Sequence, residues 1–486
     1  MKRTHIKNLS EKKGEEVLIK VWVDVRRDQG KMAFFDFRDA SGKIQGIVFG
    51  KPEVLEIAKT LRPEWVVAVT GVIQERNDKS AKEYIAKFEE TGIQEKFIKD
   101  VEIEITGFDI LNRAETPAFE ITESTQNINE DVRLKNRYLD LRTERMHNNL
   151  VMRHKVAKLL RDELDTQDFL EIETPILGRA TPEGARDYVV PSRLTPNHFY
   201  ALPQSPQQFK QLLMSAGTER YFQFARCMRD EDLRGDRQPE FTQLDLEMSF
   251  ASEEEIMELN EKLLIKVVTD LYPEKRIQEI PFPRITYADA MEKYGNDRPD
   301  IREDKDDENL LAFCWVVDFP FFEKTAESDD PQATGEWTFT HNPFSLSKPE
   351  FIEDLKNKTN IENIIAAQYD ICLNGYEIGG GSVRAHDPEV LKSILGILGH
   401  SDEGVESDFG HMLRAFASGT PPHAGIAWGF DRLMMVLQNE ATIREVIAFP
   451  KNGEGRCPLM EAPSLVSDTQ LNELFISLKE IKKGSE

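Results

Sequence analysis

Between Arg226 and Glu247 the chain reads Arg-Cys-Met-Arg-Asp-Glu-Asp-Leu-Arg-Gly-Asp-Arg-Gln-Pro-Glu-Phe-Thr-Gln-Leu-Asp-Leu-Glu, a strand, a charged loop and a second strand. Along the second strand Phe241, Gln243, Asp245 and Glu247 alternate with Thr242, Leu244, Leu246 and Met248, so a polar face with one aromatic backs onto an apolar face. The loop carries Arg229, Arg234 and Arg237. Arginines clamp phosphate oxygens and an aromatic stacks a base, so this pattern suits a nucleotide.

A second stretch, Tyr369 to Arg384, holds Asn374-Gly375 between alternating apolar residues, a strong hairpin signal. A two-residue turn pairs Cys372 with Glu377 and makes Asp370 and Glu377 diagonal neighbours, roughly 7–8 Å apart between backbones. Two carboxylates at that spacing can share a Mg²⁺ whose other positions go to phosphate and water; two solvent-facing acids is the plainer alternative. Gly379, Gly380 and Gly381 weaken a strand and need a reason, a bulge or a close approach. A one-residue bulge there would return Arg384 to the face of Glu377. The third stretch, Gly425 to Leu437, runs from a strand into an apolar helix. Gly425, Ala427 and Gly429 leave room for a flat ligand, and Arg432 adds positive charge to an already positive helix start, a conflict an anion would remove. No Walker loop or Gly-x-Gly-x-x-Gly fingerprint occurs, so parallel-sheet nucleotide folds have no support.

The elements around these stretches divide in two. The chain has 486 residues, more than one core ordinarily serves. Strand-like runs at Val17–Val25, Ala33–Arg38, Lys43–Phe49, Trp65–Gln74 and Val101–Leu111, with a helix at Pro52–Leu61, predict an OB barrel over 1–111, a fold whose open face binds single-stranded nucleic acid. Phe34, Phe35 and Phe37 cannot all be core if their strand alternates, so Phe34, near Arg27, Asp28 and Gln45, is a candidate base platform. Residues 112–133 read as a linker. Helices are expected over 134–167 with a break near Arg145–Asn149, then at Ser205–Ser215, Ser252–Leu271, Pro388–Leu398 and Phe430–Gln438. A strand interrupted by proline spans Phe169–Leu177, acidic loops span 299–308 and 323–336, and Ser467 with Gln470 forms a capping box for a C-terminal helix. The mixture predicts an α+β domain over 134–486 with a large antiparallel sheet.

Net charge is −25, which by itself argues against a phosphate-rich partner. A local basic cluster at Arg26, Arg27, Lys31 and Lys43 can still serve one. No apolar run approaches the ~20 residues of a membrane span, and the first residues lack a signal-peptide core, so a soluble cytoplasmic protein is expected. Four scattered cysteines (Cys227, Cys314, Cys372, Cys457) have no zinc spacing and read as buried thiols.

The three stretches together resemble the signature motifs of class II aminoacyl-tRNA synthetases: 150–177 the first, 221–250 the second and 425–438 the third. Thr181–Tyr188, Ala201–Lys210, Arg229–Arg234, Asn374–Ser382 and Ile447–Lys451 are similar to bacterial-type aspartyl-tRNA synthetases over nearly the whole chain. The resemblance implies attack of L-aspartate on the α-phosphate of ATP, then transfer from the adenylate to tRNA(Asp). It implies that Arg229 grips the α-phosphate and reacting carboxylate. Arg432 would hold the γ-phosphate and sandwich adenine with Phe241. Asp230, Glu231, Gln238, Glu377, Gly429, Phe430 and Asp431 complete the ATP set, and Asp370 with Glu377 holds Mg²⁺, with no zinc. Lys210 and Arg384 would bind the aspartate side chain, with Glu183, Ser205, Gln207, Asp245, Arg229 and His341 around the rest. Arg27, Phe34 and Gln45 would meet the anticodon, and a homodimer is implied.

The chain also departs from that family. The inserted domain usual between the second motif and the His341 segment is absent between 285 and 340. His341-Asn342-Pro343-Phe344 stands where a second histidine is usual. Gln29 and the loop Asn77–Ala81, where the family tunes anticodon reading, do not assign the chain to either version, so tRNA(Asn) stays open as a further substrate. An asparaginyl- or lysyl-type relative is disfavoured because Lys210 and Arg384 aim two cations at one small pocket. An amide-forming ligase on the same fold lacks the barrel. A non-catalytic paralogue would have lost Arg229, Asp370, Glu377 or Arg432.

Overall fold

The computed structural model describes residues 1–486 except 92–95, 122–123, 181–182, 328–334 and 480–486. The chain divides into two units, Met1–Asn127 and Ile128–Glu486.

In the first unit β1 (Glu16–Gln29), β2 (Met32–Asp39), β3 (Gly42–Phe49), β4 (Val66–Glu75) and β5 (Phe97–Asn112) close a barrel in the order β1-β2-β3-β5-β4, with α1 (Pro52–Thr60) after β3. Alternation builds its core: Val17, Ile19, Val21 and Val23 point inward from β1 and meet Phe35 and Phe37, whose rings stack 5.2 Å apart. Phe34, of opposite parity, is turned outward and half-buried. Of the loop expected at Asn77–Ala81, Asn77 and Asp78 are loop and Lys79–Ala81 open α2 (Lys79–Thr91). Asp78 accepts from the Ala81 N–H at 2.8 Å, an acidic side chain satisfying a free helix-start donor.

In the second unit an eight-stranded sheet runs, in spatial order, Arg284–Thr286, Phe313–Val317, Gln368–Leu373, Tyr376–Val383, His423–Gly429, Glu240–Ser249, Arg220–Met228 and Leu170–Glu171. Its centre is antiparallel, and the outermost pair at each edge is parallel. Leu244, Leu246 and Met248 turn from the Glu240–Ser249 strand into a core shared with the helices Glu144–Asp165, Glu253–Leu271 and Phe430–Leu437. The helix Glu253–Leu271 starts with a full Ser252–Glu255 capping box.

Several local expectations shift. The helical break lies at 141–143, where Thr143 caps Glu144–Asp165 and the Thr143 hydroxyl accepts from the Met146 N–H; Arg145–Asn149 is therefore the first turn and a half of that helix. Only Leu170–Glu171 of Phe169–Leu177 pairs as strand. A helix at Glu130–Lys135, capped by Asn129, begins inside the stretch read as linker. The C-terminal helix has its Ser467–Gln470 capping box but ends at Glu473. Residues 328–334 of the second acidic loop lie outside the described set. Among the described residues no helix is long and apolar enough to cross a membrane, and the four cysteines are buried free thiols.

Candidate active site

The Asn374-Gly375 turn forms with both residues at positive φ (51° and 87°), as a two-residue hairpin requires. Cys372 pairs with Glu377, but the next pair is Ile371 with Gly379, so Ile378 is the extra residue. The bulge thus precedes the glycines rather than occupying them. Its effect is the one expected: Glu377, Gly380, Ser382 and Arg384 come onto the face of Asp370, opposite Gly380. The glycines serve close approach instead. A Cβ on Gly380 would lie 2.6 Å from Asp370 Oδ1, and one on Gly381 would lie 2.8 Å from Ile426 Cα. Both distances are too short for a real side chain.

Two adjoining cavities lie over this part of the sheet. One, of about 210 Å³, is lined by Arg229, Glu231, Gln238, Phe241, Arg432 and Glu377, with Ala427, Gly429 and Asp431. The Arg229 guanidinium stands 5.2 Å from the Phe241 ring centroid. Arg432, in the first turn of its helix, donates to the Glu377 carbonyl oxygen and pairs with Asp236 at 3.2 Å, while its Nε is buried without a partner among the described residues. Gln238 accepts from the Lys451 N–H at 2.8 Å.

The other cavity, of about 180 Å³, is lined by Ser205, Gln207, Lys210, Asp245, His341 and Arg384, among others. Arg229, Gln243, Glu377 and Ala427 border both cavities. A cation and an acid therefore stand where ligands in the two would meet.

Charge in the second cavity is arranged differently from the sequence reading. Lys210 and Arg384 are not two unpaired cations. Lys210 Nζ lies 2.7 Å from Asp245 and 3.1 Å from Glu247, and Arg384 donates to both Glu247 oxygens (2.9 and 3.3 Å) and to Ser382 Oγ (2.9 Å). Glu247, absent from the predicted site, is the shared anion. Burial opposes its charge, but Arg384 and Lys210 hold its pKa down to about 2. Burial wins at Asp245, whose pKa is raised against the pull of Lys210. Glu247 therefore carries the charge that fixes both cations. Its place on the polar face of the Glu240–Ser249 strand, two residues beyond Asp245, was the available signal. Gly425 exists for it: a Cβ there would run into the Glu247 carboxylate. Of the three small residues expected to make room for a ligand, only Ala427 and Gly429 line a cavity.

Three other expected site residues stand apart from the cavity linings. Phe430 is 1% exposed and packs edge-on against Phe224 at 5.1 Å in the core, because the residue opening an apolar helix over the sheet faces inward. Asp230 is exposed, with its backbone N–H bonded to the Arg186 carbonyl. Glu183 lies beside the amino-acid cavity and accepts from Ser205 Oγ at 3.1 Å; its neighbours Thr181 and Pro182 are outside the described residues. Asp431 lines the first cavity, but its carboxylate accepts from the Thr242 N–H (2.8 Å) and pairs with Arg153 (2.5 Å), a structural task.

Asp370 is 2% exposed. Burial, with Glu377 and Asp297 behind it, pushes its pKa up to about 7 against the pull of His341. His341 Nδ1 is 3.5 Å from Asp370 and its Nε2 3.9 Å from Asp297. Burial disfavours the imidazolium, but Asp370 and Asp297 outweigh it and take His341 up to about 9. A buried carboxyl held that high, beside a second carboxylate, is an oxygen pair that a hard divalent cation would satisfy.

In the barrel unit Arg27 stands opposite Phe34, Asp36 opposite Gln45, and Gln29 opposite Met32. Arg27, Gln29, Phe34 and Gln45 therefore share the outer face of β1, β2 and β3. The basic cluster is largely answered by acids: Arg27 is bidentate to Asp36 (2.7 and 2.8 Å), Arg26 pairs with Asp28 (3.0 Å) and Lys43 with Asp24 (2.8 Å). Gln45 donates to Glu102 at 3.2 Å.

Residues 129–453 match the family of class II tRNA synthetases (D, K and N), and residues 17–111 match the OB-fold nucleic acid binding domain. An aspartate--tRNA ligase of Macrococcus caseolyticus is 38% identical over 593 aligned positions, covering 96% of each chain. An aspartate--tRNA(Asp/Asn) ligase of Bacillus subtilis is 37% identical, covering 97% of each. Among solved structures, the asparaginyl-tRNA synthetase of Pyrococcus horikoshii complexed with asparaginyl-adenylate superposes with a TM-score of 0.72 at 21% identity, covering 93% of this chain and 98% of that one. The aspartyl-tRNA synthetase of Entamoeba histolytica gives 0.68 at 22%, covering 93% and 91%.

Proposed function

From the premise that this chain belongs to the aspartate--tRNA ligase family of class II aminoacyl-tRNA synthetases, we propose that its two cavities hold ATP and L-aspartate and meet at Arg229. The chain is an enzyme that attaches aspartate to tRNA at the expense of ATP. The observation that carries the assignment of roles is the shared border of the cavities: Arg229 and Glu377 line both.

The first step needs no protein nucleophile; it needs alignment and charge neutralisation. The aspartate α-carboxylate attacks the α-phosphorus, and the bond to the bridging oxygen breaks to release pyrophosphate. Arg229 spans the two reacting groups while stacked near Phe241, and Arg432 takes the far end of the triphosphate. Asp370 and Glu377 would hold Mg²⁺, which when bound neutralises phosphate charge. The aspartate side chain is read by the N–H groups that Lys210 and Arg384 retain after binding Glu247; a guanidinium has five donors, and Glu247 and Ser382 engage only part of them. A ribose hydroxyl of the tRNA end then attacks the aspartyl carbonyl and AMP leaves. The outer face of β1–β3 would meet the anticodon through Phe34, Arg27 and Gln45, with Gln29 at its edge.

Two structural readings accompany this one. The alignment with the Macrococcus relative is longer than this whole chain, which supports the absence of a domain-sized insert between 285 and 340. Leu170, Ile176 and Leu177 in the first-motif segment are 55%, 42% and 53% exposed, an apolar patch that favours a homodimer. Work in the cytoplasm accords with the substrates.

Relatives named for tRNA(Asp) alone and for both tRNA(Asp) and tRNA(Asn) match about equally well. Charging of purified tRNA(Asp) and tRNA(Asn) side by side with labelled aspartate decides between them. Aspartylation of tRNA(Asp) is expected; pyrophosphate exchange supported by asparagine and not by aspartate would overturn the assignment.

A further inference from the structure

Behind the amino-acid cavity lies a buried chain of hydrogen bonds. His423 Nδ1 is 2.8 Å from the Pro421 carbonyl oxygen, and His423 Nε2 is 3.0 Å from Gln211 Nε2. Gln211 Oε1 accepts from Gln207 Nε2 at 3.0 Å. His423 and Gln211 are wholly buried, and Gln207 lines the cavity. Direction along this chain is fixed by chemistry. A carbonyl oxygen only accepts, so Nδ1 carries the proton; in a neutral ring Nε2 is then an acceptor. Burial, ahead of the opposing pull of Glu247, lowers the His423 pKa below the ordinary histidine value, which keeps the ring neutral. Gln211 must therefore offer its NH₂ to His423 and its oxygen to Gln207. Gln207 must spend its NH₂ on Gln211. What Gln207 turns away from Gln211 is its carbonyl oxygen, with the second N–H of the amide beside it; the oxygen accepts no hydrogen bond among the described residues.

We infer that His423 is a positioning residue: through Gln211 it sets the polarity of the Gln207 amide, so that an acceptor oxygen and not an NH₂ group faces the ammonium of the bound amino acid. The inference rests on the reading of this cavity as the amino-acid site. A carboxamide free to flip would present either dipole end at similar cost. With Nδ1 tied to the Pro421 carbonyl, flipping both amides sets Gln211 Oε1 against the lone pair of His423 Nε2, and flipping one alone sets two donors or two oxygens against each other; buried unmade bonds are costly.

The test is aspartate-dependent pyrophosphate exchange by the full chain with His423→Phe and His423→Gln. Phenylalanine keeps the ring volume and removes the acceptor, while glutamine returns an oxygen to Gln211. His423→Phe is expected to raise the KM for aspartate about tenfold and leave the KM for ATP within about twofold, the scale of one charge-assisted hydrogen bond. His423→Gln should recover most of that loss. Thermal unfolding of each variant checks that the fold persists. An unchanged aspartate KM in His423→Phe, an equal rise for ATP, or no recovery with glutamine overturns the inference. Failure of the unmodified enzyme to exchange with aspartate would instead strike the reading of the cavity.

Discussion

Arg229 is the cation that borders both cavities, and its loss should separate chemistry from recognition. Arg229→Ala removes the cation that the proposed assignment sets between the α-phosphate and the attacking carboxylate, where charge changes during reaction. Removing one such donor costs about 10²–10³ in rate, so adenylate formation should fall by at least that much, while tRNA binding, assigned to other surfaces, stays within error. Full exchange activity in this variant would break the assignment. At the same scale the charge logic of the pocket needs Glu247. A bare pair of cations would repel each other; the shared carboxylate holds them in place, and in the proposed reading the N–H groups it leaves go to the substrate.

At the scale of elements, the Asn374–Gly375 hairpin shows how backbone spacing protects chemistry. Gly380→Ala places a methyl group 2.6 Å from Asp370 Oδ1, and the carboxyl group, as the end of a side chain, must move. The fold should persist, and pyrophosphate exchange should need more Mg²⁺ for half-maximal rate; an unaltered Mg²⁺ titration would contradict the pairing of Asp370 with Glu377 as ligands. A second element-level device is the clamp between the helices that open the second unit and the segment near Glu445. Arg133 binds Glu445 at 2.8 and 3.0 Å, and Arg145 binds it at 2.9 Å. Burial works against the Glu445 charge, but these arginines hold its pKa down to about 2. A carboxylate whose pKa is lower in the folded than in the unfolded chain stabilises fully above about pH 4.5 and loses that contribution as pH falls toward 2, in all about 3 kcal/mol. Glu445→Gln should therefore lower the unfolding temperature at pH 7, and the gap from the unmodified enzyme should narrow as the pH is taken below 4.5. A gap constant between pH 7 and pH 3 would show that the clamp is not electrostatic.

At the scale of the whole molecule, the division at residues 127 and 128 places the stretch that matches the OB-fold nucleic acid binding domain and the stretch that matches the class II tRNA synthetases in separate units. Phe34→Ala should weaken tRNA charging at limiting tRNA, by about the 1–3 kcal/mol that a base–aromatic stack contributes, and leave aspartate-dependent pyrophosphate exchange unaltered. Impaired exchange would mean that the barrel acts on the catalytic unit itself. The net charge of −25 gives such a protein little non-specific attraction for nucleic acid. Selection of tRNA then calls for placed contacts, and stacking on Phe34 is the one proposed.

The sequence by itself determined the barrel strands, the polar face of Phe241, Gln243, Asp245 and Glu247, and the hairpin turn at Asn374. Strand parity and turn chemistry are local properties, written within a few residues. It also carried the family, because the motif strings are long. Tertiary structure alone decided that the bulge sits at Ile378, that Phe430 is core and Gly425 is space for Glu247, and that Glu247 binds Lys210 and Arg384 together. Those facts depend on which strands lie side by side. Gly425 and Glu247 are far apart in the chain and become neighbours only through pairing in the sheet. No period or spacing within one segment encodes a contact of that kind.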